Sequence, residues 1–239
     1  MKTAKTAMMP TAMKFAVPLA TTLLLAACAS GPKTPDWQLE AKGAMDRSVA
    51  AYMEGNSRVE LAELARARSQ LSRTGRADLL ATAELLHCAT RVASLVLEPC
   101  AGFEKLRQDA APAQRAYADY LRGQLQPQDI ALLPPQQRGA AAGDAGAVKG
   151  IADPLSQLVA AGVLLQGGKA SPAVIAQAID SASSQGWRRP LLAWLGLQAQ
   201  RAEQGGDAQE AARLRRRIAL TEPAPAGAVL PKEPVKASP

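Results

Sequence analysis

Few side chains in this sequence carry chemistry of their own. There are three cysteines, Cys28, Cys88 and Cys100, and a single histidine, His87. A histidine beside a cysteine raises two possibilities, a metal site and an activated nucleophile. A metal site needs three or four ligands at suitable spacing, and none follows. Neighbours on a helix point apart, so His87 and Cys88 do not form a catalytic pair. Glu60 and Glu63 share a helical face, but Arg58, Arg66 and Arg68 lie close by. An ion-paired surface is expected there rather than acid–base catalysis. No G-x-S-x-G, H-E-x-x-H, P-loop or dinucleotide fingerprint occurs. The reading is therefore not an enzyme, with no catalytic residue, metal or cofactor. The run Arg213, Arg215, Arg216 and Arg217 is the remaining cluster. On a helix these four spread around the circumference and leave Leu214 and Ile218 for a core. A solvated helix end is the plain reading, since cations suit a helix C-terminus. Contact with anionic phosphate, in lipid headgroups or lipopolysaccharide, is the sharper one.

Cys28 follows the most apolar run of the chain. Lys2, Lys5 and Lys14 precede thirteen apolar or small residues, 15–27, "FAVPLATTLLLAA". A spanning helix needs ~20 such residues. A basic start, a short apolar run and small residues at its end read as a secretory signal. Met13 followed by Lys14 offers an alternative, more compact start. "LAAC", residues 25–28, resembles the lipobox of bacterial lipoproteins. The resemblance implies a diacylglycerol on the Cys28 thiol, cleavage just before it and acylation of the new N-terminus. The lipid on Cys28, palmitate-type acyl chains included, would be the only attached group. Each buried CH₂ adds ~0.8 kcal/mol, so several acyl chains anchor far more firmly than one. Ala29, where an Asp would favour inner-membrane retention in this family, implies the outer membrane and its periplasmic face. The alternative is an ordinary secretory signal with an incidental cysteine. Cleavage before Cys28 removes three lysines and no acid, taking the formal charge from +7 to +4. That is not a nucleic-acid signature.

Cys88 and Cys100 form an even pair in an oxidising compartment, where a disulfide is expected. Such a bridge would stabilise by roughly 2–4 kcal/mol in the chain-entropy model. If the helix carrying Cys88 ran on to Leu97, Cys88 would lie ~13 Å behind its end. That helix should therefore stop near Ala93 and "SLVLEP" should turn back. The alternative is two buried free thiols.

The elements that must position these residues read as helices. Aromatics are only 3% of the chain, alanine is abundant, and no alternating β-branched runs occur. Thr34 and Pro35 open a first helix, ended by "EGN". "SRVE", Ser57 and Glu60, has the spacing of a capping box for a second, closed by Gly75. A third begins near Arg76, with Leu79, Leu80, Ala83 and Leu86 at helical spacing. Two short helices hold Phe103 with Leu106, and Tyr117 with Tyr120 and Leu121. Residues 126–150, rich in Pro, Gly and Ala, read as a linker or long loop, with a brief helical turn near Asp129. Four helices then follow. Three open on Pro154, Pro172 and Pro190, the first two behind the caps Asp153 and Ser171, and the fourth starts at Asp207. The expected organisation is a signal peptide (1–27), a lipidated tether (28–33), a helical bundle (34–125), the linker (126–150), helical hairpins (151–220) and a disordered tail (221–239).

The last helical pair resembles a tetratricopeptide unit through Gly206, Ala211 and Pro223, with Leu195 and Ala199 at compatible positions. Ala202 and Arg215 depart from that pattern where aromatics are usual. The mature chain also resembles uncharacterised proteobacterial lipoproteins through the lipobox, "DLLATAELLHCATRVASL" and "EPC", which implies no activity. The expectation is an all-α protein of antiparallel helical hairpins, either tetratricopeptide-like or an irregular bundle. It would be held on the membrane by its lipid and would act as an adaptor or assembly factor for an envelope protein partner. A cell-wall-acting enzyme or regulator, and a structural envelope protein without a dedicated partner, are the alternatives.

Overall fold

A computed structural model of the protein describes residues 34–221, and these fold entirely as helices and their connections. Helices α1 (Asp36–Glu54) and α2 (Ser57–Ser72) form an antiparallel hairpin. Its register is fixed where Arg47 meets Glu63 and Ser48 Oγ donates to the Glu60 carbonyl. Helix α3 (Ala77–Ala93) runs back along α2, with Arg68 of α2 bonded to Glu84 of α3. Two short helices, α4 (Ala101–Glu104) and α5 (Pro112–Leu121), return the chain along α3. Helices α6 (Pro135–Ala141), α7 (Pro154–Gln166), α8 (Pro172–Ser184), α9 (Arg188–Gln204) and α10 (Ala208–Thr221) complete the body. Its N-termini are set locally. Asp153 accepts from the Ser156 amide and Ser171 from the Val174 amide, each just ahead of a proline at the first helical position.

Helix α3 ends at Ala93, as the cysteine spacing requires. The Val96 amide bonds the Arg91 carbonyl and the Leu95 amide the Val92 carbonyl, which is a Schellman ending. Leu95 holds the left-handed position at φ 60°, where glycine is usual. The chain then turns back, and Cys88 and Cys100 are joined in a disulfide with their Cα atoms 5.8 Å apart.

Two expectations are corrected. The cap of α2 is Asn56, whose side chain accepts from the Val59 amide, so Ser57 and Glu60 make no capping box. Glu60 instead turns inward. Residues 126–150 are not a linker. They form the 3₁₀ segments Pro127–Leu132 and Ala145–Gly150 around α6. Leu133, Ala140 and Val148 are buried in the main core, which runs from Tyr52 to Leu214 without a break. Small residues make this possible, since Gly139 lies against Ala147. Gln137 supplies the polar tie. It accepts from the Tyr120 hydroxyl at 2.6 Å and donates to the Ser156 carbonyl at 3.0 Å. The two expected bundles therefore share one core. A smaller second cluster, built on Ala44, Met45, Leu64 and Leu71, joins α1 to α2 and α3.

Helices α3 and α7 cross closely at Gly162. A Cβ on Gly162 would lie 2.6 Å from the Val92 carbonyl oxygen and 2.9 Å from its Cγ1. Backbone cannot yield as a side-chain tip does, so the helices must separate. Gly162→Ala should lower the unfolding free energy by about 2 kcal/mol, because overpacking outweighs alanine's better helix propensity. Urea titration of both proteins measures this, and an unchanged midpoint would contradict the crossing described.

Candidate functional site

Helix α3 separates two apolar clefts from a set of part-buried ionic groups. Its outer ridge, Thr82 and Leu86, lines two adjoining apolar clefts. The larger, about 620 Å³, lies between α3, α5 and α7, with Leu132 and Pro134 on its rim and Leu85, Ala89 and Val159 on its floor. The smaller, about 360 Å³, lies between α1 and α3, against Trp37, Ala41, Met45 and Leu71. Polar groups in the larger cleft are few and fixed. The Gln114 amide donates to the Asp78 carbonyl and to Thr82 Oγ1, at 2.7 and 2.8 Å. Burial, with Asp153 nearby, pushes the Tyr117 phenol up to about 12, so it stays protonated and can donate. An apolar trough with a few fixed polar groups suits a helical or extended segment of another protein. Its lining comes from several elements far apart in sequence. The only hint in the sequence was the breadth of the apolar stripe on α3, where Leu79, Leu80 and Leu86 exceed what one core face uses.

The inner side of α3 carries ionic groups. Glu60 is 1% exposed and accepts from Arg91 Nη2 at 3.1 Å. His87 completes the group: Arg91 Nε donates to its Nε2 at 3.2 Å, and its Nδ1 lies 3.4 Å from Glu60 Oε1. Because Nε2 accepts, the proton of the neutral ring sits on Nδ1, facing the carboxylate. Burial, opposed by Arg91 and Arg189, holds the Glu60 carboxyl above its usual range. Burial and the Arg91 charge lower His87 to about 4. The Tyr52 ring lies beneath two guanidiniums, Arg189 at 4.3 Å and Arg91 at 5.2 Å from its centroid. Arg189, from α9, also donates to the Tyr52 carbonyl and to Ser57 Oγ, both at 2.7 Å. Glu84, the second deeply buried carboxylate, is gripped by Arg68 through both oxygens. Glu63 pairs with Arg47 and Arg66.

The His87 environment sets a pH dependence. Its folded value lies below the ordinary 6.5, so the unfolded chain binds the extra proton first. The stability it contributes is complete above pH 6.5 and is lost as pH falls toward 4, up to about 3 kcal/mol. Glu60, held above its usual range, acts in the opposite sense over the lower part of that window. Replacing His87 with Gln should therefore flatten the loss of stability between pH 6.5 and 4, read by denaturation at several pH values. An equally steep loss in the variant would show that His87 is not its source.

The remaining expected site residues separate. Cys28 and its lipid, like the tail beyond Thr221, lie outside the described residues. Thr221 itself closes α10, with its hydroxyl bonded to the Arg217 carbonyl. Cys88 and Cys100 are joined beside the Glu84 region, where Cys100 lies against the Glu84 carbonyl. The arginine run sits on α10, where Leu214 is buried and Ile218 packs on the core. Arg213 is bidentate to Glu210 and Arg215 pairs with Glu203, so the run is partly neutralised. Among the described residues, no group of three or more His, Cys, Asp or Glu side chains is placed to hold a metal ion. No described helix is long and apolar enough to cross a membrane. No family model, curated protein or solved structure matches this chain.

Proposed function

We propose that this chain is a lipid-anchored periplasmic protein of the outer membrane that acts as an interaction adaptor or assembly factor of the cell envelope. The observation that carries the interaction role is the larger apolar cleft between α3, α5 and α7. The address rests on "LAAC" at residues 25–28. The buried carboxylates support binding over catalysis. A wall lyase working through a lone acid would need a buried carboxyl with no cation of its own, whereas Glu60 and Glu84 each hold a guanidinium. Arg216 and Arg217 remain the positions for a secondary contact with anionic groups.

Two experiments test this reading. Cys28→Ser should release the protein from the membrane fraction, and continued retention would remove the anchor. A photoreactive residue at Leu132, on the rim of the larger cleft, should capture one dominant envelope protein in living cells. The same residue at exposed Gln209 on α10 should not. Equal capture of abundant proteins from both sites would sink the adaptor role and favour a structural envelope protein.

A further inference from the structure

The two ion pairs that set the helix register, Arg47 with Glu63 and Arg68 with Glu84, also gather three helix ends. The start of α1, the end of α2 and the start of α3 lie together at one end of the body. That end carries apolar surface. Trp37 is half-buried and Leu39 is 57% exposed on the first turn of α1, while Leu79 and Leu80 are half-buried on α3. The smaller cleft opens there, floored by Ala41, Met45 and Leu71. Its charges largely cancel. Lys42 pairs with Asp46 and Arg76 with Asp78, and Asp36, Glu40 and Arg73 complete the set. Attraction to an anionic surface does not explain such an end, but apolar seating does.

Chain length names the occupant. Cys28 precedes Trp37 by nine residues, which span at most about 30 Å when fully extended. A lipid on Cys28 therefore tethers this end within about 30 Å of the bilayer, and of the two ends of the three helices it is the one joined directly to the anchor. We infer that the end bearing Trp37, Leu39, Leu79 and Leu80 docks on the membrane surface, with Trp37 at the boundary between headgroups and acyl chains. Tryptophan is enriched at that level because its ring is apolar and its N–H polar. The inference rests on the lipoprotein reading and deepens it. It orients the body, with the ends of the three helices that carry the Gly55 turn and Ala93 directed away from the bilayer.

The test uses the lipidated full chain in vesicles of phosphatidylethanolamine and phosphatidylglycerol, with or without bromine on the acyl carbons nearest the headgroups. The chain has three tryptophans, and Trp194 is wholly buried. Bromine should quench the emission by up to about a third, the share of one tryptophan in three, and Trp37→Phe should abolish most of that quenching. The conservative variant should keep its unfolding midpoint, which is measured alongside. Mass analysis of the Cys28 peptide and vesicle flotation are read on the same samples. A lipidated, floating protein with no quenching, or with quenching unchanged in the variant, would overturn the docking alone. An unlipidated Cys28 in a protein that does not float would overturn the anchor and the docking together.

Discussion

Arg91→Met should cost about 3–5 kcal/mol at neutral pH, more than any surface change in this protein. The reason is the charge it leaves behind. Glu60 is 1% exposed, and burial already holds its carboxyl above the usual range even with Arg91 beside it. Without the Arg91 guanidinium, an ionised carboxylate would keep no hydrogen-bonded cation, only a neutral imidazole beside it and the more distant charge of Arg189. The penalty should be pH-dependent. A carboxyl whose folded pKa is raised loses stability as pH rises through its unfolded value, so the cost grows above about pH 4.5. Toward acid the cost shrinks twice over: Glu60 is protonated, and His87, freed from the Arg91 charge, can take up a proton and pair with whatever carboxylate remains. Denaturation of the variant at pH 5 and pH 7.5 measures this. Glu60→Gln in the Arg91→Met background should recover much of the loss at pH 7.5. A penalty that is small, or that ignores pH and the second substitution, would mean that the pair is not the buried contact described.

Trp194→Ala should be of similar size, about 3–5 kcal/mol, by a different route. Trp194 is 0% exposed within the main core, and its indole N–H donates to the Ala93 carbonyl at 3.0 Å. Truncation opens a cavity and also leaves an acceptor at the end of α3 without its donor. Trp194→Phe separates the two terms. It restores most of the volume but not the hydrogen bond, and should still cost about 1–3 kcal/mol. If the phenylalanine variant matched the native protein in a urea titration, the hydrogen bond would carry no weight and the effect would be packing alone.

Much of the helical layout is legible in the sequence because local chemistry sets it. Asp153–Pro154 and Ser171–Pro172 are N-terminal signals that work within one turn, and both helices begin there. The end of α3 at Ala93 follows from the reach of two cysteines twelve positions apart. The cap of α2 slipped by one residue because Asn56 and Ser57 are both good caps, and the choice between them is tertiary. Ser57 is wanted by Arg189, which comes from α9. Glu60 read as a surface residue because nothing in its own helix reveals that α3 offers Arg91 across the interface. Residues 126–150 misled for a related reason. Glycine, proline and alanine resemble a linker in composition, yet Gly139 and Ala147 allow close packing and Gln137 has partners on α5 and α7. The clefts were the least legible feature, since they exist only between elements that meet in space.

The polar ties from α9 have a consequence for the order in which this molecule can be completed. Helix α1 has no cation in its last turn, and the end of α3 lacks a donor for the Ala93 carbonyl. Both needs are met by residues of α9, Arg189 and Trp194, 137 and 101 positions downstream of their partners. A chain emerging N-terminus first, from a ribosome or through a channel, can form its early helices but cannot finish joining them. Completion waits until more than four-fifths of its length has emerged. Contacts of such long range slow the final step. The first three helices can thus pack on one another through their own cluster, but their ties to Arg189 and Trp194 form only when the last hairpin arrives.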